Sequence, residues 1–214
     1  MPVSCTVFNH FHPSPIMRRI VTLSAVVLAC ASPAFAQGGM TMAAPAAGRL
    51  SVAPSPRATS TLAISTGVRG ATPMKVTVDY GQPFARGRAV EGGLIPAGQV
   101  WRTGANAATS LMTEANLRIG NVAVPKGSYT LYTLWNPSAG MQLIINKQTG
   151  QWGTDYKQDM DLGRVAMTAR TLSDSRDAFV IALEPTTGAS AVAAATLRMS
   201  WGKSEFSVPV TVVP

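Results

Sequence analysis

Apolar and polar residues alternate with a period of two through most of the chain beyond residue 70. Val76, Val78 and Tyr80 are interleaved with Lys75, Thr77 and Asp79, the spacing of a strand with one buried face. Tyr129, Leu131, Thr133 and Trp135 alternate with Thr130, Tyr132 and Leu134, which predicts a strand covered on both faces. Met141, Leu143 and Ile145 follow, then Phe179, Ile181 and Leu183. Leu197, Met199 and Trp201 share one face of a further strand, and Phe206, Val208, Val210 and Val212 end the series. Gly120-Asn121 sits between two alternating runs and predicts a tight hairpin, because Gly accepts the positive φ such turns need. Pro125-Lys126-Gly127, Asn136 to Gly140, Thr186 to Ser190 and Gly202-Lys203-Ser204 mark further turns. Helical periodicity is weak throughout; Ala189 to Ala195 has a helix-friendly composition but lies between strands. About eight or nine short strands with regular turn signals predict an all-β fold, a single antiparallel β-sandwich of jelly-roll type.

The first 36 residues obey a different pattern. Arg18 and Arg19 precede an apolar run from Ile20 to Ala29, and Ala34-Phe35-Ala36 stands before Gln37. Charge, apolar run and small-residue site together read as a cleaved signal peptide. The run is roughly ten residues, against the ~20 a helix needs to cross a bilayer, so no transmembrane segment is expected. Met17 is a natural start for this signal, which leaves residues 1–16 as an upstream start artefact or a long n-region. Val27-Leu28-Ala29-Cys30 loosely matches a lipobox, so the alternative to periplasmic or secreted release is a lipid anchor on Cys30. Residues 37–57 are rich in Ala, Gly, Pro, Ser and Met and read as a flexible linker. The β domain is expected over residues 58–214, long enough for its own core.

That processing decides which chemistries remain. Cys5, Cys30, His10 and His12 are the two cysteines and two histidines of the chain, and all four fall in the segment to be removed. A Cys nucleophile, a Ser-His-Asp triad, a disulfide and zinc held by His or Cys are thereby excluded. Losing Arg18 and Arg19 takes Lys and Arg from 18 to 16 against 10 acids, a net charge of +6. The excess is dispersed, without the basic tract of a nucleic-acid binder, so no nucleic-acid partner is expected. It favours solubility and a mild bias toward anions.

Two polar stretches stand out against the strands. In Val100-Trp101-Arg102-Thr103-Gly104-Ala105-Asn106 an indole and a guanidinium precede residues that accept left-handed backbone. The guanidinium can stack on an indole while its donors fork toward a carboxylate or phosphate; the alternative is a structural corner with Trp101 filling the core edge. The second stretch, Asn146 to Tyr156, offers Lys147, Trp152, Asp155 and Tyr156 at the tip of a strand. Convergence of the two would make a site for a small anionic or carbohydrate ligand. Trp101, Arg102, Asn106, Lys147, Trp152, Asp155 and Tyr156 are its candidate residues, with no cofactor and no metal expected.

V-D-Y-G-Q-P from Val78, G-R-A-V-E-G-G-L-I-P-A-G-Q-V-W-R-T-G-A-N from Gly87, P-K-G-S-Y-T-L-Y-T-L from Pro125 and N-K-Q-T-G-Q-W-G-T-D-Y from Asn146 resemble a bacterial secreted family, domain of unknown function 2911. The resemblance covers most of residues 70–184. It implies an exported single β domain with no established activity. This chain carries Gln82 where the family commonly has Arg, and Ala107 where it commonly has an acid.

Catalysis without histidine would fall to carboxylates, Lys or Tyr. Asp79 beside Tyr80, Glu91, Asp155 beside Tyr156, and Asp159, Asp161 and Arg164 are the candidates. Two acids facing across a cleft would make a hydrolase of envelope saccharides the alternative to a binding module. Asp159 and Asp161 alone are a weak calcium signal, and each acid has the simpler role of capping a turn or pairing with Arg. A purely structural interaction domain is the third reading.

Overall fold

A computed structural model of the protein describes residues 51–186 and 193–213. The expected signal segment with Cys5, Cys30, His10 and His12, the linker up to residue 50, and most of the Thr186 to Ser190 turn lie outside the described residues. Eleven strands are present among those described: β1 (Arg57–Ile64), β2 (Met74–Gly81), β3 (Val100–Trp101), β4 (Thr109–Thr113), β5 (Asn116–Ile119), β6 (Val122–Val124), β7 (Gly127–Asn136), β8 (Gly140–Asn146), β9 (Asp161–Ala166), β10 (Thr168–Pro185) and β11 (Ala194–Val213). They form two antiparallel sheets. One runs β1-β2-β4-β7-β8-β9, with β3 also paired to β7; the other runs β10-β11-β5-β6.

The alternating residues face one another between the sheets. Val76, Val78, Leu111, Leu131, Leu143 and Ile145 of the larger sheet meet Leu117, Ile119, Phe179, Ile181, Leu197, Met199, Val208 and Val210 of the smaller one in one buried cluster. This is the sandwich-like arrangement that period-two patterning predicts. The sheet edges are drawn toward each other. On one side the Leu183 N–H donates to Ser60 Oγ of β1 at 2.9 Å. On the other, Gly163 of β9 lies so near β6 that a Cβ there would meet Val122 Cγ2 at 2.6 Å. Covered edges leave few free ladder groups for another chain to pair with.

Turn chemistry holds where the loops are short. Ile119 pairs with Val122 across Gly120-Asn121, with Gly120 at φ 57°, a glycine-first hairpin turn. Asn136 Oδ1 accepts the N–H and the hydroxyl of Ser138 at 3.0 and 2.8 Å, closing the β7–β8 connection. The expected turn at Gly202-Lys203-Ser204 is instead part of β11. Gly202, at φ 58°, lets that strand bend while β10 absorbs register shifts on both sides of Arg176, so pairing continues through the bend. The strand count exceeds eight or nine because β1, β3, β4 and β9 join the strands that the alternation announces; β3 is only two residues long, and Val165 is the one buried residue of β9.

Leu143 is fully buried in β8. We expect Leu143→Ala to cost about 2–5 kcal/mol, seen as a lower urea midpoint with an unchanged slope; an unaltered midpoint would contradict the placement of the core.

Candidate functional site

β3 and β4 lie on the same edge of β7. Val100 pairs with Leu134 and Trp101 with Thr133, and the next pairing along that edge is Thr109 with Leu131. The chain therefore leaves the edge after Trp101 and rejoins it at Thr109, extruding Arg102 to Ala108 as a loop. Thr103 ties the neck. It is fully buried, with φ 54°; its hydroxyl lies 3.2 Å from Thr133 Oγ1, and its carbonyl accepts the Thr109 hydroxyl at 2.7 Å. The Ala105 N–H donates to the Gly81 carbonyl at 3.1 Å. Only glycine fits at 81, since a Cβ would fall 2.0 Å from the Ala105 oxygen.

Neighbouring strand residues point to opposite faces, which separates Trp101 from Arg102. Trp101 faces the inter-sheet core, stacked on Trp201 at 5.8 Å and edge-on to Phe179 at 5.3 Å. It is the structural corner of the two alternatives, and the Trp101–Arg102 stack does not form. Arg102 lies on the outer side with its Nε donating to the Gly104 carbonyl at 3.2 Å. Gly153 packs on its stem, where a Cβ would meet Arg102 Cδ at 2.5 Å. No described acid pairs with Arg102.

Asn146 anchors the second stretch at the end of β8. Fully buried, its Nδ2 donates to the Lys157 carbonyl and to Asp161 Oδ1 at 2.8 and 2.9 Å, and its Oδ1 accepts the Gln148 N–H at 2.9 Å. These bonds fold residues 147–157 back over the outer face of the larger sheet. There Gln151 Nε2 donates to Thr130 Oγ1 and Tyr132 Oη at 3.1 and 3.0 Å, and the Tyr132 hydroxyl donates to the Asp155 carbonyl at 3.1 Å. The covering loop explains why β7 is buried on both faces.

The two stretches meet. The Gly153 N–H donates to the Asn106 carbonyl at 3.2 Å, the Ala108 N–H donates to the Gln151 carbonyl at 3.3 Å, and Ala107 bridges Trp152. Beside this junction opens a cleft of about 290 Å³ lined by Leu94, Val100, Arg102, Tyr132, Thr154 and Tyr156, with Trp101 and Gly153 at its wall. Arg102 and Tyr156 are thus brought together. Asn106 (φ 63°) contributes the junction carbonyl while remaining exposed. Trp152, 53% exposed, Asp155 and Lys147 stand on the loop's outer side and are not part of the lining. Tyr132, Thr154 and Leu94 were not among the residues singled out from sequence. Tyr132 alone had a signal: a phenol inside a strand read as buried on both faces must find a polar partner.

A family model described as "Protein of unknown function (DUF2911)" matches residues 62–210. The chain belongs to the DUF2911 family. No curated protein and no solved structure matches it. The match runs from β1 into β11, so it spans both loops and the cleft of this DUF2911 domain. Of the two positions where the resemblance implies a different residue, Ala107 sits at the loop junction. Gln82 lies outside the lining, donating through Nε2 to the Phe179 carbonyl at 3.0 Å.

Electrostatics single out two groups in the cleft of the DUF2911 domain. Tyr156 donates to Asp161 Oδ2 at 2.7 Å and accepts from Arg164 Nη2 at 2.8 Å, and its ring meets Tyr132 edge-on at 5.0 Å. Burial first, and then the Asp161 hydrogen bond, push its phenol up to about 12. Tyr132 is also raised, chiefly by burial. Asp161 is consumed by this network, bonded to Asn146, Tyr156 and Arg164, while Asp159 is exposed; the pair does not assemble as calcium ligands. Among the described residues no three of His, Cys, Asp and Glu gather. The other acids are also dispersed: Asp79 pairs with Arg57, Glu184 with Arg198, and Glu205 with Arg170 and Arg198. None of the described clefts is lined by two carboxylates, the arrangement a two-acid hydrolase needs.

Removing the Asn146 amide leaves Asp161 Oδ1 and the Gln148 N–H without their described partners. Asn146→Ala should cost about 1–3 kcal/mol and expose residues 147–157 to protease; resistance equal to wild type would refute the anchoring role. For Tyr156 the folded-state value lies above the ordinary 10.0. Its neutral form is therefore favoured by folding, and the stability it contributes is whole below about pH 10 and lost as pH climbs toward 12. In a phenolate absorbance titration Tyr156→Phe should remove the last of the four tyrosines to ionise; an unchanged alkaline limb would refute the assignment.

Proposed function

We infer that the domain is a binding module for a small anionic ligand, an acidic saccharide or another carboxylate, held at the junction of the two loops. The observation that carries this reading is Arg102. Its guanidinium stands in a cleft, half-buried, with no described acid to neutralise it, whereas the other partly buried arginines, Arg164 and Arg198, are both paired. A forked donor on an aromatic-walled cleft suits a planar carboxylate. Tyr156, its ring backed by the buried Tyr132, would offer ring surface, and Thr154 a hydroxyl, to the rest of the ligand. Tyr156, neutral across ordinary pH, adds no competing negative charge. Asn106, Trp152, Lys147 and Asp155 form the outer rim in this reading, where they would touch only a ligand longer than the cleft.

The place of action follows from the leader. An export signal puts the domain in the periplasm or outside the cell, with attachment through Cys30 as the alternative. No helix among the described residues is long and apolar enough to cross a membrane.

A thermal-shift screen with uronic acids, small dicarboxylates, nucleotides and neutral sugars tests the reading, because a ligand of the native state raises its melting temperature. Acidic compounds should raise it and their neutral counterparts should not. Arg102→Ala should weaken that binding about 10- to 100-fold, the scale of a charge-assisted hydrogen bond, with Arg102→Lys intermediate. Equal shifts from neutral sugars, or an undiminished response in Arg102→Ala, would count against it.

A further inference from the structure

A second cleft lies away from the Arg102 junction and has the opposite charge character. Glu91 stands on a tight turn fixed by its backbone, with Leu94 N–H donating to Ala89 O at 3.1 Å, Ile95 N–H to Val90 O at 2.8 Å and Gly92 N–H to Ile95 O at 2.9 Å. Gly92, at φ 77°, packs against the Trp135 ring, its added Cβ lying 3.8 Å from Cζ3. The Glu91 carboxylate is partly buried, and its Oε1 is shut from solvent with no donor from the protein. Inward it faces an interior space of about 10 Å³ beside Trp101, Thr133 and Trp201, room for about one water. Outward it borders a cleft of about 340 Å³ lined by Trp135, Arg170, Thr171, Ser204 and Phe206.

The charges of that outer cleft do not cancel. Arg170 is spent on Glu205, through Nε at 3.1 Å and Nη2 at 2.9 Å, and Glu205 is further held by Arg198 at 2.8 Å. Glu91 is left as the unmatched charge, and it is negative. The domain carries many more cations than acids, so the missing partner does not reflect a shortage. A carboxylate drawn partly out of water needs donors, and an indole face beside it adds attraction for a cation. The unengaged groups of the cleft, Glu91 and the Thr171 and Ser204 hydroxyls, can all accept. An ammonium group is the ligand chemistry with three donors, a positive charge and no acceptor.

We propose that this cleft is a cation site for an ammonium-bearing ligand, whose N–H groups bond to the second carboxylate oxygen of Glu91, Oε2, and to Thr171 and Ser204 while its carbon skeleton lies on Trp135. A lysine side chain, an amino sugar and a polyamine all present that group.

The test is a titration of the isotope-labelled domain with n-butylammonium, and with n-butanol as the uncharged match, followed by backbone and indole amide resonances. Butylammonium should move Gly92, Gly93 and the Trp135 indole saturably, while butanol should not. Glu91→Gln should weaken binding about tenfold or more, about 1.4 kcal/mol, and Trp135→Leu should weaken it as well; Arg102→Ala should leave it unchanged. The carbon shift of the Glu91 carboxyl, followed in the wild-type protein, reads the same contact without relying on a variant that folds. Glucosamine, spermidine and a lysine-containing tripeptide then rank the three sources. No saturable movement, an equal response to butanol, or movement confined to the Arg102 cleft overturns the proposal. The anion reading rests on Arg102 and this one on Glu91, so each can fail while the other stands.

Discussion

Strand β7 passes through the middle of the larger sheet, and both of its faces have to be covered. Leu131 and Thr133 turn toward the inter-sheet core, while Thr130 and Tyr132 emerge on the other side. Buried hydroxyls on that outer face need partners. Residues 147–157 supply them, through Gln151 to both hydroxyls, the Gln148 carbonyl to Thr130 at 2.7 Å and the Asp155 carbonyl to Tyr132. The covering loop is therefore held by the strand it covers. Its position places Gly153 against the Arg102 stem, and that contact shapes one wall of the cleft.

The other wall comes from an interruption. A β-strand could have continued from Trp101 along the edge of β7, but the chain departs for seven residues and returns at Thr109. Such a departure exposes backbone groups that the ladder would have satisfied. Thr103, Thr109 and Gly81 take them up. Arg86, Thr103 and Asn106 are the only described residues other than glycine with positive φ, and two of the three lie in this excursion. Backbone in that region is uncommon for residues with a Cβ and concentrates at sites where the surroundings over-determine it. Here the surroundings are a buried threonine hydroxyl network on one side and Gly81 on the other.

Charge distribution completes the picture. Four of the ten described arginines pair with acids, and the Arg170–Glu205–Arg198–Glu184 chain along β10 and β11 joins two strands through alternating charges. Such pairs near the surface contribute little individually. Arg102 and Glu91 are partly buried and have no described ion pair, each beside an aromatic ring and a cleft.

The amino-acid sequence determined the architecture through a local signal. Side chains alternate across a strand, so Val76 to Tyr80, Tyr129 to Trp135 and Leu197 to Trp201 announce their strands within a few residues, and Gly120-Asn121 announces its hairpin. The two-sided burial of β7 was also legible, from apolar and aromatic residues at consecutive positions, whereas the meeting of the two polar stretches was not. Only the tertiary structure decided that Trp101 belongs to the core while Arg102 belongs to the cleft, that Trp152 stays outside, and that Tyr132 and Thr154 come within. It also decided that Gly202 bends a strand instead of ending one. The reason is physical: alternation reports which face of a segment is dry, whereas a cleft is made where segments fifty residues apart satisfy one another's backbone groups, and no local pattern encodes that pairing.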